Sequence, residues 1–160
     1  MAKITIICVG KAKKDYIKKG SDEYIKRIKN YADIEILDFE AQPLLAEDDK
    51  NAIDTALEKE AVAIEKRIKE GSVVVALDVR GKELSSEEFA DKMNDWFISG
   101  KSNITFIIGG SYGLHSRILE RADFRFSMSP LTFPHQLARL IILEQIFRCF
   151  KIIRGEKYHK

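Results

Sequence analysis

The chain has 160 residues, two cysteines and a formal net charge of +2, with 45% hydrophobic and 32% charged residues. That profile excludes a disordered chain and supplies enough apolar material for one core. Its near-neutral balance neither requires nor excludes a nucleic-acid partner, so any electrostatic footprint has to be local. In chain order, "KITIICV" reads as a first strand, and Lys11, Lys13 and Lys14 follow it at once. This apolar run is too short for a secretory signal. Ile17, Tyr24, Ile25, Ile28 and Tyr31 then share one face of a helix, and "IEILDF" is a second strand. After the surface connection "AQPLLAEDDK", Ile53, Leu57, Ala61, Ile64 and Ile68 mark a second helix. "VVVALDV" and "ITFIIG" are continuous apolar strands of the kind buried on both faces. Between them Ser85 and Glu88 form a capping-box signature ahead of the stripe Phe89, Met93, Trp96 and Phe97. A short helix over Leu114, Ile118 and Leu119, the strand "FRFSM" and a last helix from Pro134 to about Phe150 complete the series.

Strand and helix alternate five times, which predicts an α/β fold with a doubly wound, mostly parallel sheet in one domain spanning residues 1–160. Cys8 and Cys149 sit inside apolar segments without metal-ligand spacing, as buried thiols of a cytoplasmic protein do. Charges interrupt the longest apolar stretch, Leu137 to Ile153, so no membrane span is expected. That last helix is apolar on nearly every side, at Leu137, Leu140, Ile141, Leu143, Ile146, Phe147 and Phe150. Such a helix is either wholly buried or docked on a partner.

Ligands of open α/β sheets sit beyond the carboxyl ends of the strands. "CVGKAKKD" after strand one carries a single glycine, so a dinucleotide site or a flavodoxin-like phosphate cradle is poorly supported. "GGSYG" lacks the Lys-Ser/Thr of a P-loop, no nucleophile elbow is present, and His115, His135 and His159 lie on separate elements without a metal set. The unusual loops are instead "LDVRGKELSS", "IIGGSYGLHSR" at residues 107–117 and "MSPLTFPHQLAR", after strands three, four and five. Each alone reads as a turn. Together they offer backbone groups suited to a flat purine with a short amino-acid tail and no phosphates.

"LDVRGK", "FIIGGSYGL", "SMSPLTFPHQLAR" and the ending "RGEKYHK" resemble, in order and over essentially the whole chain, the bacterial 23S ribosomal RNA (pseudouridine-N3)-methyltransferases. That family lies in the SPOUT superfamily. The resemblance implies a C-terminal trefoil knot, which periodicity alone never predicts. It further implies S-adenosylmethionine as methyl donor and N3 of a pseudouridine in helix 69 of 23S ribosomal RNA as acceptor. Carried over residue by residue, the cofactor contacts fall on Leu77, Gly109, Met128, Ser129, Pro130, Leu131, Thr132 and Phe133. On this reading Gly109 lets backbone approach the cofactor, while Gly110 and Gly113 let one segment pass another. The family resemblance also implies a homodimer packed through the last helix, acting on RNA in the large subunit or the assembled ribosome.

Four residues are candidates for the chemistry. His135 can titrate near neutrality or merely cap its helix. Arg139, one turn later, is placed as an anchor for an RNA phosphate or base. Tyr158 and His159, in a cationic tail expected to leave the core and lie near the cofactor loops of the partner subunit, can stack on or hydrogen-bond the target base, the alternative being a frayed terminus. The competing function is a non-catalytic knotted RNA-binding domain.

Overall fold

A computed structural model describes residues 1–160. The elements run β1 (Ala2–Val9), α1 (Asp15–Ile28), β2 (Ala32–Phe39), α2 (Lys50–Glu65), β3 (Val73–Glu83), α3 (Ser86–Ile98), β4 (Asn103–Ile108), α4 (Ser116–Arg121), β5 (Phe124–Ser127) and α5 (His135–Ile153). The strands form one sheet in the order β2-β1-β4-β3-β5, with every neighbouring pair parallel. The expected mostly parallel sheet is thus parallel throughout.

Alternation along β1 divides the core. Ile4, Ile6 and Cys8 pack into a large cluster with Phe89 and Met93 of α3 and Ile142, Leu143 and Ile146 of α5. Ile7 and Val9 point the other way, joining Ala61 and Ile64 of α2 and Ile118 of α4. Helices α1, α3 and α5 therefore cover one face, and α2 and α4 the other. The capping box at α3 forms as the sequence signals. The Glu88 amide donates to Ser85 Oγ at 3.1 Å, and Glu88 Oε2 accepts from the Ser85 amide at 2.7 Å.

Three boundaries differ from the sequence reading. Helix α2 stops at Glu65, before Ile68, where the chain tightens into a turn towards β3. Pro134 is the cap of α5 and lies outside the helix, which extends to Ile153. Strand β3 runs on to Glu83 through the stretch read as its following loop. Leu77 and Lys82 both register against Phe126, so residues 78–81 bulge out before pairing with β5 resumes. That bulge places Asp78, Val79 and Arg80 at the carboxyl end of the sheet.

Candidate functional site: a cleft at the carboxyl ends of β3, β4 and β5

The bulge of β3, the loop after β4, the loop after β5 and the first turn of α5 enclose a cleft of about 1040 Å³. Seven of the eight residues expected to contact a cofactor line it: Leu77, Gly109, Met128, Ser129, Leu131, Thr132 and Phe133. Pro130 is exposed on the same loop but outside the lining. His135 is in the wall. Asp78, Arg80, Tyr112 and Arg125 complete the polar and aromatic rim. The signal for the first two was present in "LDVRG", where an apolar strand breaks into opposite charges.

The loop after β5 holds its own shape. Ser127 Oγ donates to the Ser129 carbonyl at 3.0 Å, and the Leu131 amide donates to Ser129 Oγ at 3.0 Å. In the loop after β4, a Cβ on Gly109 would lie 2.5 Å from the carbonyl oxygen of Gly113, while Gly113 has φ +78°. The Gly110–Gly113 bridge closes this turn. Gly109 is therefore required by the loop's own backbone, a correction to the reading in which it serves only ligand approach. A Cβ on Gly110 would make no more than an ordinary contact with Val9.

Val79, Tyr112 and Leu131 are among the few large apolar side chains left exposed, at 54%, 47% and 68%, and all three line the cleft. Together with Leu77, Met128 and Phe133 they form apolar walls suited to planar rings. Asp78, the one carboxylate in the lining, suits hydroxyl or ammonium donors, and Arg80 and Arg125 suit a carboxylate. S-adenosylmethionine, with its purine, ribose, ammonium and carboxylate, fits this donor set.

His135 opens α5, and its imidazole occupies the space a side chain would need at Gly10. A Cβ there would lie 2.7 Å from Nε2. Burial, then the nearby charges of Arg139 and Lys13, push the His135 pKa below its ordinary value. The positive end of α5 acts in the same direction. The ring is therefore neutral at physiological pH, able to accept a proton. The thiols are not rival nucleophiles: burial raises Cys8 to about 11 and drives Cys149 up as well.

The structure corrects the role expected for Arg139. It is buried, with Nη1 3.1 Å from Asp38 Oδ2 and Nη2 donating to the Gly10 carbonyl at 2.8 Å. Both contacts are internal, so its guanidinium ties β1, β2 and α5 together and is committed to the fold. The tail is not frayed, and it does not leave the core as expected but docks on its own chain. The Tyr158 ring packs edge-on against Phe147 at 4.9 Å, and its hydroxyl donates to Glu144 Oε1 at 3.1 Å. Burial and Glu144 raise the Tyr158 phenol to about 12. His159 bridges Arg148, at 3.1 Å, and Glu87, at 2.7 Å. Glu144 lies nine residues beyond His135 on α5, about 14 Å along the axis. No group of three or more His, Cys, Asp or Glu side chains is placed to hold a metal ion, and no helix is long and apolar enough to cross a membrane.

Comparison with known proteins gives one answer. A family model described as "Predicted SPOUT methyltransferase" matches residues 2–159. The chain is 50% identical over 160 residues to "Ribosomal RNA large subunit methyltransferase H" of Acetivibrio thermocellus, covering 99% of each chain. It is 52% identical to the protein of the same name from Alkaliphilus oremlandii, covering 98% of this chain and 99% of that one. Among solved structures it resembles "a probable methylase family protein from Haemophilus influenzae Rd KW20", with a TM-score of 0.54 at 14% identity. That match covers 98% of this chain and 70% of the other. At that identity the likeness concerns the fold alone.

Proposed function

The chain belongs to the SPOUT methyltransferase family, and from that premise we propose that it moves the methyl group of S-adenosylmethionine to N3 of a pseudouridine in helix 69 of 23S ribosomal RNA. The observation that carries this reading is the convergence of Leu77, Gly109, Met128, Ser129, Leu131, Thr132, Phe133 and His135 on one cleft, drawn from the ends of three strands. The methyl-accepting specificity extends the names of the relatives, which describe large-subunit ribosomal RNA methyltransferases. A trefoil knot in the C-terminal part belongs to the same proposal. The match to the SPOUT family supports it.

When bound, S-adenosylmethionine supplies an electrophilic methyl group. The chain's own contribution is position and proton handling. Leu77, Met128 and Phe133 would flank the purine, and the preformed 127–131 turn would present backbone groups to it. The neutral ring of His135 would accept the proton that N3 loses. Calorimetric titration of the free protein with S-adenosylmethionine tests the cofactor assignment: 1:1 binding without added metal is expected, and no binding refutes it. Because the His135 pKa is depressed, its neutral form already predominates at the ordinary imidazole value of 6.5. The acid limb of the methylation rate should therefore lie at lower pH than an ordinary imidazole would place it. His135→Asn should remove that acid limb together with roughly 10²–10⁴ of the rate. A variant with the wild-type rate and the same limb excludes His135.

The homodimer is part of this proposal. On α5, Ala138, Arg139, Ile142, Leu143 and Ile146 are buried within the chain, whereas Leu137, Leu140 and Ile141 remain partly exposed along one stripe. Leu140 packs on Gly20 of α1, and Tyr16, one turn before Gly20 and 65% exposed, continues the apolar strip. The same stripe of α5 ends in Glu144 and Arg148, where Tyr158 and His159 are docked. Two copies packed antiparallel along it would set the tail of one against the cleft of the other. Chains carrying His135→Asn and chains lacking residues 155–160 should each be inactive as homodimers. Mixed and allowed to exchange subunits, they should regain activity. Verified heterodimers that stay inactive would confine Tyr158 and His159 to a structural role.

A further inference from the structure

We infer that the loop between β1 and α1 is the grip for the RNA backbone, with Lys11, Lys13 and Lys14 contacting phosphates beside the cleft. This rests on the proposed reaction and adds a recognition surface to it. All three lysines are exposed and none takes part in an ion pair. A loop kept only for solubility would also be free to move. This one is fixed at both ends of its turn to the helix that carries His135. The amides of Lys13 and Lys14 both reach Gln136 Oε1, at 2.8 and 3.5 Å. The carbonyl of Gly10 is held by Arg139 at 2.8 Å. The bare Cα of Gly10 lies directly under the His135 ring. The backbone that bears these three uncompensated cations is thus held in fixed register with the wall of the cleft.

The distribution of charge points the same way. Residues 11–29 carry eight Lys and Arg against three Asp and Glu, whereas residues 30–70 carry five against twelve. A chain of net charge +2 therefore has a basic β1–α1 side and an acidic α2 side. A polyanion is drawn to the first and turned away from the second. The acids beside the lysines do not cancel them. Asp38 is engaged by Arg139, leaving Asp15, the first residue of α1, as the one exposed carboxylate within the basic loop. The loop supplies position and affinity, and the cleft selects the base.

The test compares a K11A/K13A/K14A variant with a K26A/K29A variant at the far end of α1, using 70S ribosomes and separated large subunits lacking the modification. Each phosphate contact with a single strand contributes about 0.7 to the slope of log affinity against log salt. The triple variant should lose about 2 from that slope and on the order of 10-fold or more in ribosome affinity at low salt. Its affinity for S-adenosylmethionine and its state in light scattering should match the wild type. The K26A/K29A variant should keep the wild-type slope. Equal slopes in wild type and triple variant, or equal losses in both variants, overturn the inference while leaving the methyltransferase reading intact. A triple variant that changes its oligomeric state overturns it too, by assigning the loop to a subunit contact. A wild-type protein that neither binds nor methylates ribosomes overturns both.

Discussion

Gly109→Ala is expected to disable the cleft. The added Cβ would sit 2.5 Å from the carbonyl oxygen of Gly113 and 2.7 Å from its carbon, both backbone atoms. The Leu114 side chain, 3.1 Å away, can shift, but the Gly113 carbonyl cannot without its backbone, so the 110–113 turn has to move. Overpacking of this kind costs about 1–3 kcal/mol. Borne by the turn that lines the cleft, this amounts to roughly 10–100-fold in affinity for S-adenosylmethionine. The rest of the sheet is anchored elsewhere, so a cooperative thermal transition should persist at a reduced midpoint. Titration and a thermal melt decide it. Unchanged affinity together with an unchanged midpoint would show that the turn is not part of the site.

Arg139→Ala should be the most destabilising single change in the vicinity of the cleft. It removes a buried guanidinium and leaves both the Asp38 carboxylate and the Gly10 carbonyl without their partner. Breaking a buried pair costs about 3–5 kcal/mol, and because the Asp38 side chain keeps 31% of its exposure, a loss of about 2–4 kcal/mol is expected. Asp38→Asn should cost less, since an acceptor remains for the guanidinium. The double variant should cost less than the sum of the singles, because the two share one interaction. Activity should fall as well, through release of the Gly10 loop beneath His135. An Arg139→Ala protein with wild-type stability that no longer binds ribosomes would return Arg139 to the RNA-contacting role its position in the sequence suggests.

These two cases also mark how far the sequence can be read. Element types were legible because their signals are local: the Ser85–Glu88 box, the continuous apolar runs of β3 and β4, and the spacing of Ile53, Leu57, Ala61 and Ile64. The cleft was legible because glycines, prolines and charges interrupt strands at three successive carboxyl ends. Arg139 was misassigned because periodicity puts it beside His135 without saying that Asp38, 101 residues earlier, would be waiting for it. The same blindness to long-range partners hid the docking of Tyr158 on Glu144 and of His159 on Glu87. The continuation of β3 past Leu77 was missed because only pairing with β5, across a bulge, makes "VRGKE" a strand. Gly109 was noticed, but its reason is a backbone carbonyl four residues away.

The proposed reaction is tested most directly by the nucleoside that receives the methyl group. Ribosomes lacking the modification would be incubated with the purified protein and S-adenosylmethionine carrying an isotopic label in its methyl group. Nucleosides from digested 23S ribosomal RNA would then be identified by mass spectrometry. The label is expected in N3-methylpseudouridine from helix 69, and His135→Asn is expected to reduce it sharply. Unlabelled RNA, or label in a different nucleoside, would contradict the proposed reaction.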